Sequence, residues 1–234
     1  MKALCVIPAR YASTRFPGKP LAEIQGMSMI ERVYKQVEKS KKTSEIIVAT
    51  DDQRILDHVL DFGGKAAMTG DHKSGTDRCF EVWNKQKGAF DILINVQGDE
   101  PKIAPEAIDQ VIGLIAEQNF EIATLANKSL DKEEYLNPNS VKVVLNKHAK
   151  ALYFSRAPIP FYRDIPFDGF LKHIGIYAFS SGSIPKIAQL KQSDLELYES
   201  LEQLRWLSSG FSIGVGITSY VSQGIDSPED INKF

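Results

Sequence analysis

The sequence predicts an α/β fold, a largely parallel central sheet flanked by helices, and three observations carry that expectation. Short runs rich in Val, Ile and Leu recur along the 234 residues, segments of helical period separate them, and 43% of the residues are hydrophobic. Strands that alternate with helices pair in parallel, because each crossover helix returns over a face of the sheet. The apolar content suffices for one large core, so a single domain over 1–234 is expected, with a β-rich lobe at about 126–175.

The first run, "ALCVIPA" (3–9), reads as a strand and is followed by a basic loop. "SMIERVYKQVEK" (28–39) has helical period, with Ser28 as N-cap and Glu31 placed to complete a capping box. "EIIVAT" (45–50) is the next strand, 52–61 and 76–87 are helices, and "DILINVQ" (91–97) is a strand that stops at a polar turn. Helix 104–118 leads to "EIATLAN" (121–127), "SVKVVLN" (140–146) and "HIGIYAF" (173–179), then helix 198–209 and the strand "SIGVGIT" (212–218). Helical period weakens between 126 and 175, where Pro138, Pro158, Pro160 and Pro166 accumulate, so a hairpin is expected there. The first half, strand, basic loop, helix, strand, helix, is a doubly wound nucleotide-binding arrangement with its crevice at the strand C-termini.

A formal net charge of −2 excludes a broad basic surface for nucleic acid, so any concentration of cations must serve a small anion or an acidic patch. The opening stretch is too short before Pro8 and Arg10 to be a signal peptide, and no run is long enough to span a membrane. A cytoplasmic protein is expected, and Cys5 and Cys79 read as buried thiols with no metal or disulfide spacing. Arg10, Arg15 and Lys19 crowd the loop after the first strand, with Pro17 and Gly18 shaping it. The loop is neither a Walker loop nor a dinucleotide Gly-rich turn, so its side chains must supply the charge for a phosphate-rich ligand. In "NVQGDEP" (95–101), Asp99 follows a glycine at a strand end, where a carboxylate can hold Mg²⁺ against ligand phosphates.

Eight segments, "IPARYASTRFPGKPL", "VATDD", "HKSGTDR", "NVQGDEP", "ALYFSRAPIP", "KHIGIYAF", "LEQLR" and "GIDSPEDI", occur in an order and spacing that resemble the 3-deoxy-manno-octulosonate (Kdo) cytidylyltransferase family. The resemblance covers nearly the whole chain. It implies a Rossmann-like nucleotide-diphospho-sugar transferase fold with a β-rich lobe for dimerisation and sugar binding. It also implies transfer of CMP from CTP to Kdo, with release of diphosphate, for lipopolysaccharide precursors. Mg²⁺ is the implied cofactor and a homodimer the implied assembly. A branch of the family acts on the 8-amino-8-deoxy analogue of Kdo, which leaves that sugar or another acidic sugar as the alternative substrate.

By that resemblance Lys19 meets the α-phosphate, Arg10 and Arg15 meet the β- and γ-phosphates, and Ser13 joins them on the nucleotide. Ser74, Thr76 and Arg78 belong to the cytosine and ribose loop, while Asp99 and Asp226 hold the metal. Gln97, Arg156, His173, Tyr177, Glu202 and Gln203 form the sugar-acid pocket, Arg156 because a guanidinium binds both oxygens of a carboxylate. Taken singly, a histidine such as His173 is more often structural than a ligand contact and Tyr177 in an apolar strand is more often core, while Glu202 and Gln203 also read as a solvated helix face. Two departures from the family pattern stand out: Asp77 replaces the common Glu, and the segment 160–172 is short.

Overall fold

The "ALCVIPA" run forms β1 (Ala3–Ala9), buried along its whole length apart from a half-buried Pro8, as expected of a strand covered on both faces. The computed structural model describes residues 1–12, 16–221, 223–225 and 227–232. By its internal contacts the chain divides into two units, 1–112 with 222–234, and 113–221.

In the first unit β1 leads to a short hairpin of β2 (Glu23–Ile24) and β3 (Met27–Ser28), turned by Gln25 and Gly26 at positive φ. Helix α1 (Met29–Val37) follows, and the Ser28 hydroxyl accepts from the Glu31 amide at 3.2 Å. The other half of the expected capping box gives way to an ion pair between Glu31 and Lys35, 2.5 Å apart. β4 (Glu45–Thr50), α2 (Gln53–Asp61), β5 (Ala66–Met68), α3 (Gly75–Lys85) and β6 (Ile92–Asn95) complete the alternation, and α4 (Pro105–Gln118) begins in this unit. β1 runs parallel to β4 on one side and β6 on the other, and β5 joins β4 in parallel. The strand order β6-β1-β4-β5 brings the C-terminal ends of β1 and β6 side by side.

The second unit is mixed. β7 (Ile122–Ser129), α5 (Lys132–Leu136), β8 (Lys142–Leu145), β9 (Ala151–Ser155) and β10 (Phe170–Ser180) precede three short helices and a final strand. These are α6 (Ile184–Ile187), α7 (Asp194–Glu199), α8 (Gln203–Ser208) and β11 (Ile213–Ile217). β7 pairs in parallel with β11 and antiparallel with β10, while β8 pairs antiparallel with β9 and β10, giving a hairpin within the expected stretch. The helix expected over 198–209 is two, because Ser200 takes a left-handed conformation (φ 50°) that ends α7. Four strands escape the period-based reading: β2, β3, β5 and β9 are too short or too mixed in polarity to stand out. Helix α9 (Pro228–Ile231) returns to the first unit, where buried Ile225 packs on Ile24 and Met29.

Candidate active site

The first unit carries a cleft of about 250 Å³ at the ends of β1 and β6. Glycines make it possible: a Cβ on Gly98 would lie 2.8 Å from the Pro8 carbonyl, and one on Gly75 would lie 3.2 Å from the Pro8 ring. Gly18, at φ 72°, donates its amide to the Tyr11 carbonyl at 2.9 Å and closes the basic loop on itself. Of the residues expected on the nucleotide, Arg10, Lys19, Ser74 and Arg78 line the cleft, together with Gln97 and Asp99. Ser13, Arg15 and Asp226 lie outside the described residues.

Each lining side chain is held by identifiable partners. Lys19 Nζ donates to Asp99 Oδ2 at 2.6 Å and to the Ile225 carbonyl at 3.0 Å, so the basic loop, the strand-end carboxylate and the returning C-terminal segment meet at one ammonium group. Arg78 is buried on α3 and donates to Thr69 Oγ1 and Asp51 Oδ2, both at 2.6 Å. Ser74 caps α3, accepting from the Asp77 amide at 3.1 Å, which points the first turn of that helix at the cleft. Thr76 turns the other way: it is buried, accepts from Asn95 Nδ2 at 3.3 Å, and is not among the lining residues.

His72 and Lys73 also line the cleft and were not expected there. His72 Nε2 sits 2.5 Å from Glu81 Oε2, and the same carboxylate takes the Gly70 amide and Lys85. The ammonium of Lys85, then the imidazole of His72, hold the Glu81 carboxyl down to about 2. The signal lay in "HKSGTDR" itself, where His72 precedes Glu81 by nine residues across a helix cap. Tyr11, in the basic loop, lies under the Arg54 guanidinium, 3.3 Å from its ring centroid.

The expected sugar-acid residues other than Gln97 belong to the second unit. Arg156 follows β9 and donates from Nε to the Glu199 carbonyl (2.7 Å), from Nη1 to the Pro138 carbonyl (2.9 Å) and from Nη2 to the Ser200 carbonyl (3.3 Å). His173 and Tyr177 flank an irregularity in the β10–β7 pairing, where Ile174 opposes Leu125 and Tyr177 opposes Thr124. The Thr124 hydroxyl lies within hydrogen-bond distance of the Ile174 and Ile176 carbonyls and, at 3.0 Å, of His173 Nε2. A hydroxyl has one proton, so donation to Ile176 at 2.7 Å leaves it to accept from Nε2–H and fixes the neutral tautomer. Part of His173 reaches solvent, but its ring is wedged between Phe154 and Tyr177, and burial pushes its pKa down to about 3. Burial raises the Tyr177 hydroxyl well above its ordinary value, and the negative charge of Glu202 acts in the same direction. The Tyr177 hydroxyl meets no partner at full hydrogen-bond geometry among the described residues, although the nearby Thr124 hydroxyl partly offsets the rise. Gln203 is buried at the start of α8, and Glu202 precedes it, half-buried.

A family model for cytidylyltransferases matches residues 4–215, nearly the whole length. The chain belongs to the cytidylyltransferase family. A relative from Parabacteroides distasonis named 3-deoxy-manno-octulosonate cytidylyltransferase is 50% identical over 244 residues, covering 100% of this chain and 96% of its own. One of the same name from Cytophaga hutchinsonii is 50% identical, covering 97% of this chain and 94% of its own. A solved CMP:2-keto-3-deoxy-manno-octonic acid synthetase complexed with CTP superposes with a TM-score of 0.94 at 43% identity, over 100% of this chain and 96% of that one. For a cytidylyltransferase the cleft is chemically apt: cationic side chains from the basic loop and from the 72–78 segment face one space, and an anionic ligand entering it would be neutralised from both.

Proposed function

We propose that the chain transfers CMP from CTP to Kdo, releasing diphosphate and supplying an activated sugar acid for lipopolysaccharide assembly. The observation that carries this reading is identity of 50% with a curated Kdo cytidylyltransferase over the full length of the chain. In the reaction an oxygen of the sugar bonds to the α-phosphorus of CTP as the bond from that phosphorus to the diphosphate oxygen breaks. Little covalent work falls to the protein, so rate comes from alignment and from charge placed where it develops.

Lys19 is assigned to the α-phosphate oxygens and Arg10, with Arg15, to the departing phosphates. Because Lys19 Nζ is engaged by Asp99 at 2.6 Å before nucleotide arrives, its transfer to phosphate must be matched by another cation on Asp99. Asp99 suits Mg²⁺: its carboxylate is about one-third exposed (32%) on the cleft, offers hard oxygen donors and already holds a positive charge at contact distance. Asp226 is assigned as the second carboxylate. When bound, Mg²⁺ polarises the phosphoryl oxygens and offsets charge on the leaving group.

Arg156 is assigned to the carboxylate of the sugar acid. A guanidinium has five N–H donors and three are committed to backbone carbonyls, which leaves two for a bidentate carboxylate. Gln97, His173, Tyr177, Glu202 and Gln203 are assigned to the sugar hydroxyls, and Ser13, Ser74 and Arg78 to the nucleoside, while Thr76, buried against Asn95 behind the cleft lining, is assigned to supporting the start of α3. The chain is proposed to work as a homodimer. Large apolar side chains of the second unit, Leu152, Phe161, Ile165, Leu197 and Tyr198, are exposed, and a second copy would cover such surface. No described helix is long and apolar enough to cross a membrane.

The deciding experiment measures diphosphate release from CTP with Mg²⁺ and a panel of Kdo, its 8-amino-8-deoxy analogue and other sugar acids. Turnover with Kdo is expected to exceed that with every other acid. Turnover with the amino sugar alone, or with none of the panel, would remove the Kdo assignment.

A further inference from the structure

Arg156 and the Glu202–Gln203 pair come from segments far apart in the chain, and the proposed sugar-acid subsite needs them in fixed register. Glu199, the last residue of α7, bonds to the first segment and adjoins the second. Its Oε1 accepts from the buried Ser155 hydroxyl at 2.6 Å and its Oε2 from the Arg156 amide at 2.9 Å. Its own carbonyl takes Arg156 Nε at 2.7 Å, so main chain and side chain of Arg156 are both tied to one residue. Immediately beyond, Ser200 reverses the chain at φ 50°, Leu201 is buried, and Glu202 opens α8. From the opposite side the fully buried Lys142 donates to the Arg156 carbonyl at 2.7 Å and to the Asn137 carbonyl at 2.8 Å.

We propose that Glu199 is a positioning residue of the sugar-acid subsite: its carboxylate, accepting from Ser155 and the Arg156 amide, holds the arginine in register with the turn that presents Glu202 and Gln203. The inference rests on the assignment of Arg156 to the sugar carboxylate. The physical reason is convergence. Two donors at the end of β9, a hydroxyl and a main-chain N–H, point at one spot, and a two-oxygen acceptor satisfies both without a water. The third tether, from Arg156 Nε to the Glu199 carbonyl, orients the guanidinium only if the end of α7 stays where the carboxylate holds it.

The test compares Glu199→Ala, Glu199→Gln, Ser155→Ala and Arg156→Ala by steady-state kinetics in both substrates, with thermal melting as a control. Glu199→Ala loses both side-chain bonds, and KM for the sugar acid is expected to rise on the order of tenfold to hundredfold while KM for CTP changes less than about twofold. Glu199→Gln can accept from the Arg156 amide and donate to Ser155 Oγ, so it should stay within about threefold of wild type. Ser155→Ala, which loses one of the two side-chain bonds to Glu199 together with the bond its hydroxyl accepts from the Ala157 amide, should fall between them and decides the matter should Glu199→Ala not fold. The proposal is overturned if a folded Glu199→Ala or Ser155→Ala leaves the sugar KM unchanged. It is overturned equally if the two KM values rise by the same factor, or if Glu199→Gln is as impaired as Glu199→Ala. Arg156→Ala separates the two layers: an unchanged sugar KM there removes the underlying assignment, whereas a raised one beside a normal Glu199→Ala removes only the positioning role.

Discussion

Lys19 shows how much one side chain does in this cleft. Its ammonium bonds the Asp99 carboxylate and the Ile225 carbonyl, so it holds the carboxylate that would carry a metal cation in the proposed reaction. Charge on the transferring phosphoryl group grows toward the transition state, and a cation placed there lowers the barrier more than it tightens the ground state. Lys19→Ala is therefore expected to cut kcat by about a hundredfold or more with a smaller rise in KM for CTP, read from initial rates over a CTP series. An unchanged kcat with only a raised KM would reassign Lys19 to ground-state binding. Arg78 is a different case. It was expected as a nucleotide contact, and it lines the cleft, but its guanidinium is spent on Asp51 and Thr69. Asp51→Asn leaves that buried cation without its counter-charge, and a loss of about 1–3 kcal/mol in urea unfolding is expected, tempered by the partial exposure of Asp51.

At the scale of elements, α7 and α8 are six-residue helices that would not hold together on propensity alone. A buried ion pair joins them: Arg205 Nε and Nη2 donate to the two oxygens of Glu196 at 2.8 and 2.5 Å. Burial pushes the Glu196 carboxyl up, but Arg205 outweighs it, with the Ser193 amide helping, and the net shift is downward. Removing one partner of a buried pair leaves the other uncompensated, so Glu196→Ala should cost about 3–5 kcal/mol at pH 7. The depressed carboxyl fixes the sign with pH: its contribution is complete above the ordinary carboxylate pKa of 4.5 and is lost as pH falls through the lower folded value. The stability difference between wild type and Glu196→Gln should therefore shrink as pH is lowered below that range, and a difference that grows would contradict the assignment. The sequence period over 198–209 is continuous because Leu201, Leu204 and Trp206 are all buried, and it therefore hides the break at Ser200. Periodicity reports which side chains face the core and is blind to a single left-handed residue. The buried strand β1 and the Ser28 cap were legible because each depends on local chemistry.

For the molecule as a whole, the first unit's parallel order follows from its alternating pattern, whereas the β11–β7 pairing joins strands some ninety residues apart, which composition does not encode. Protonation gives a global readout of what the sites bury. Glu81 is held down to about 2 and His173 to about 3, so both bind fewer protons folded than unfolded in acid. The unfolded chain takes up a proton at His173 below its ordinary pKa of 6.5, and the folded chain does so only near 3. Stability should consequently fall as pH drops from about 6.5, by about 1.4 kcal/mol per pH unit for this one group, and level near its folded value. Glu81 acts in the same direction in a lower window, from 4.5 toward 2, with its share reduced by solvent at a side chain 27% exposed. Two tryptophans make the upper window measurable by unit: Trp83 lies on α3 in the first and Trp206 on α8 in the second, both buried. In a Trp83→Phe background the remaining fluorescence reports the unit that contains His173. Urea unfolding of that protein between pH 7 and pH 4.5 should show stability declining with pH, and His173→Gln should flatten the decline by about one proton's slope while keeping a hydrogen bond to Thr124. Equal slopes in the two proteins would mean that the His173 imidazole titrates as it does in the unfolded chain, and the wedge between Phe154 and Tyr177 would then not exclude its charge.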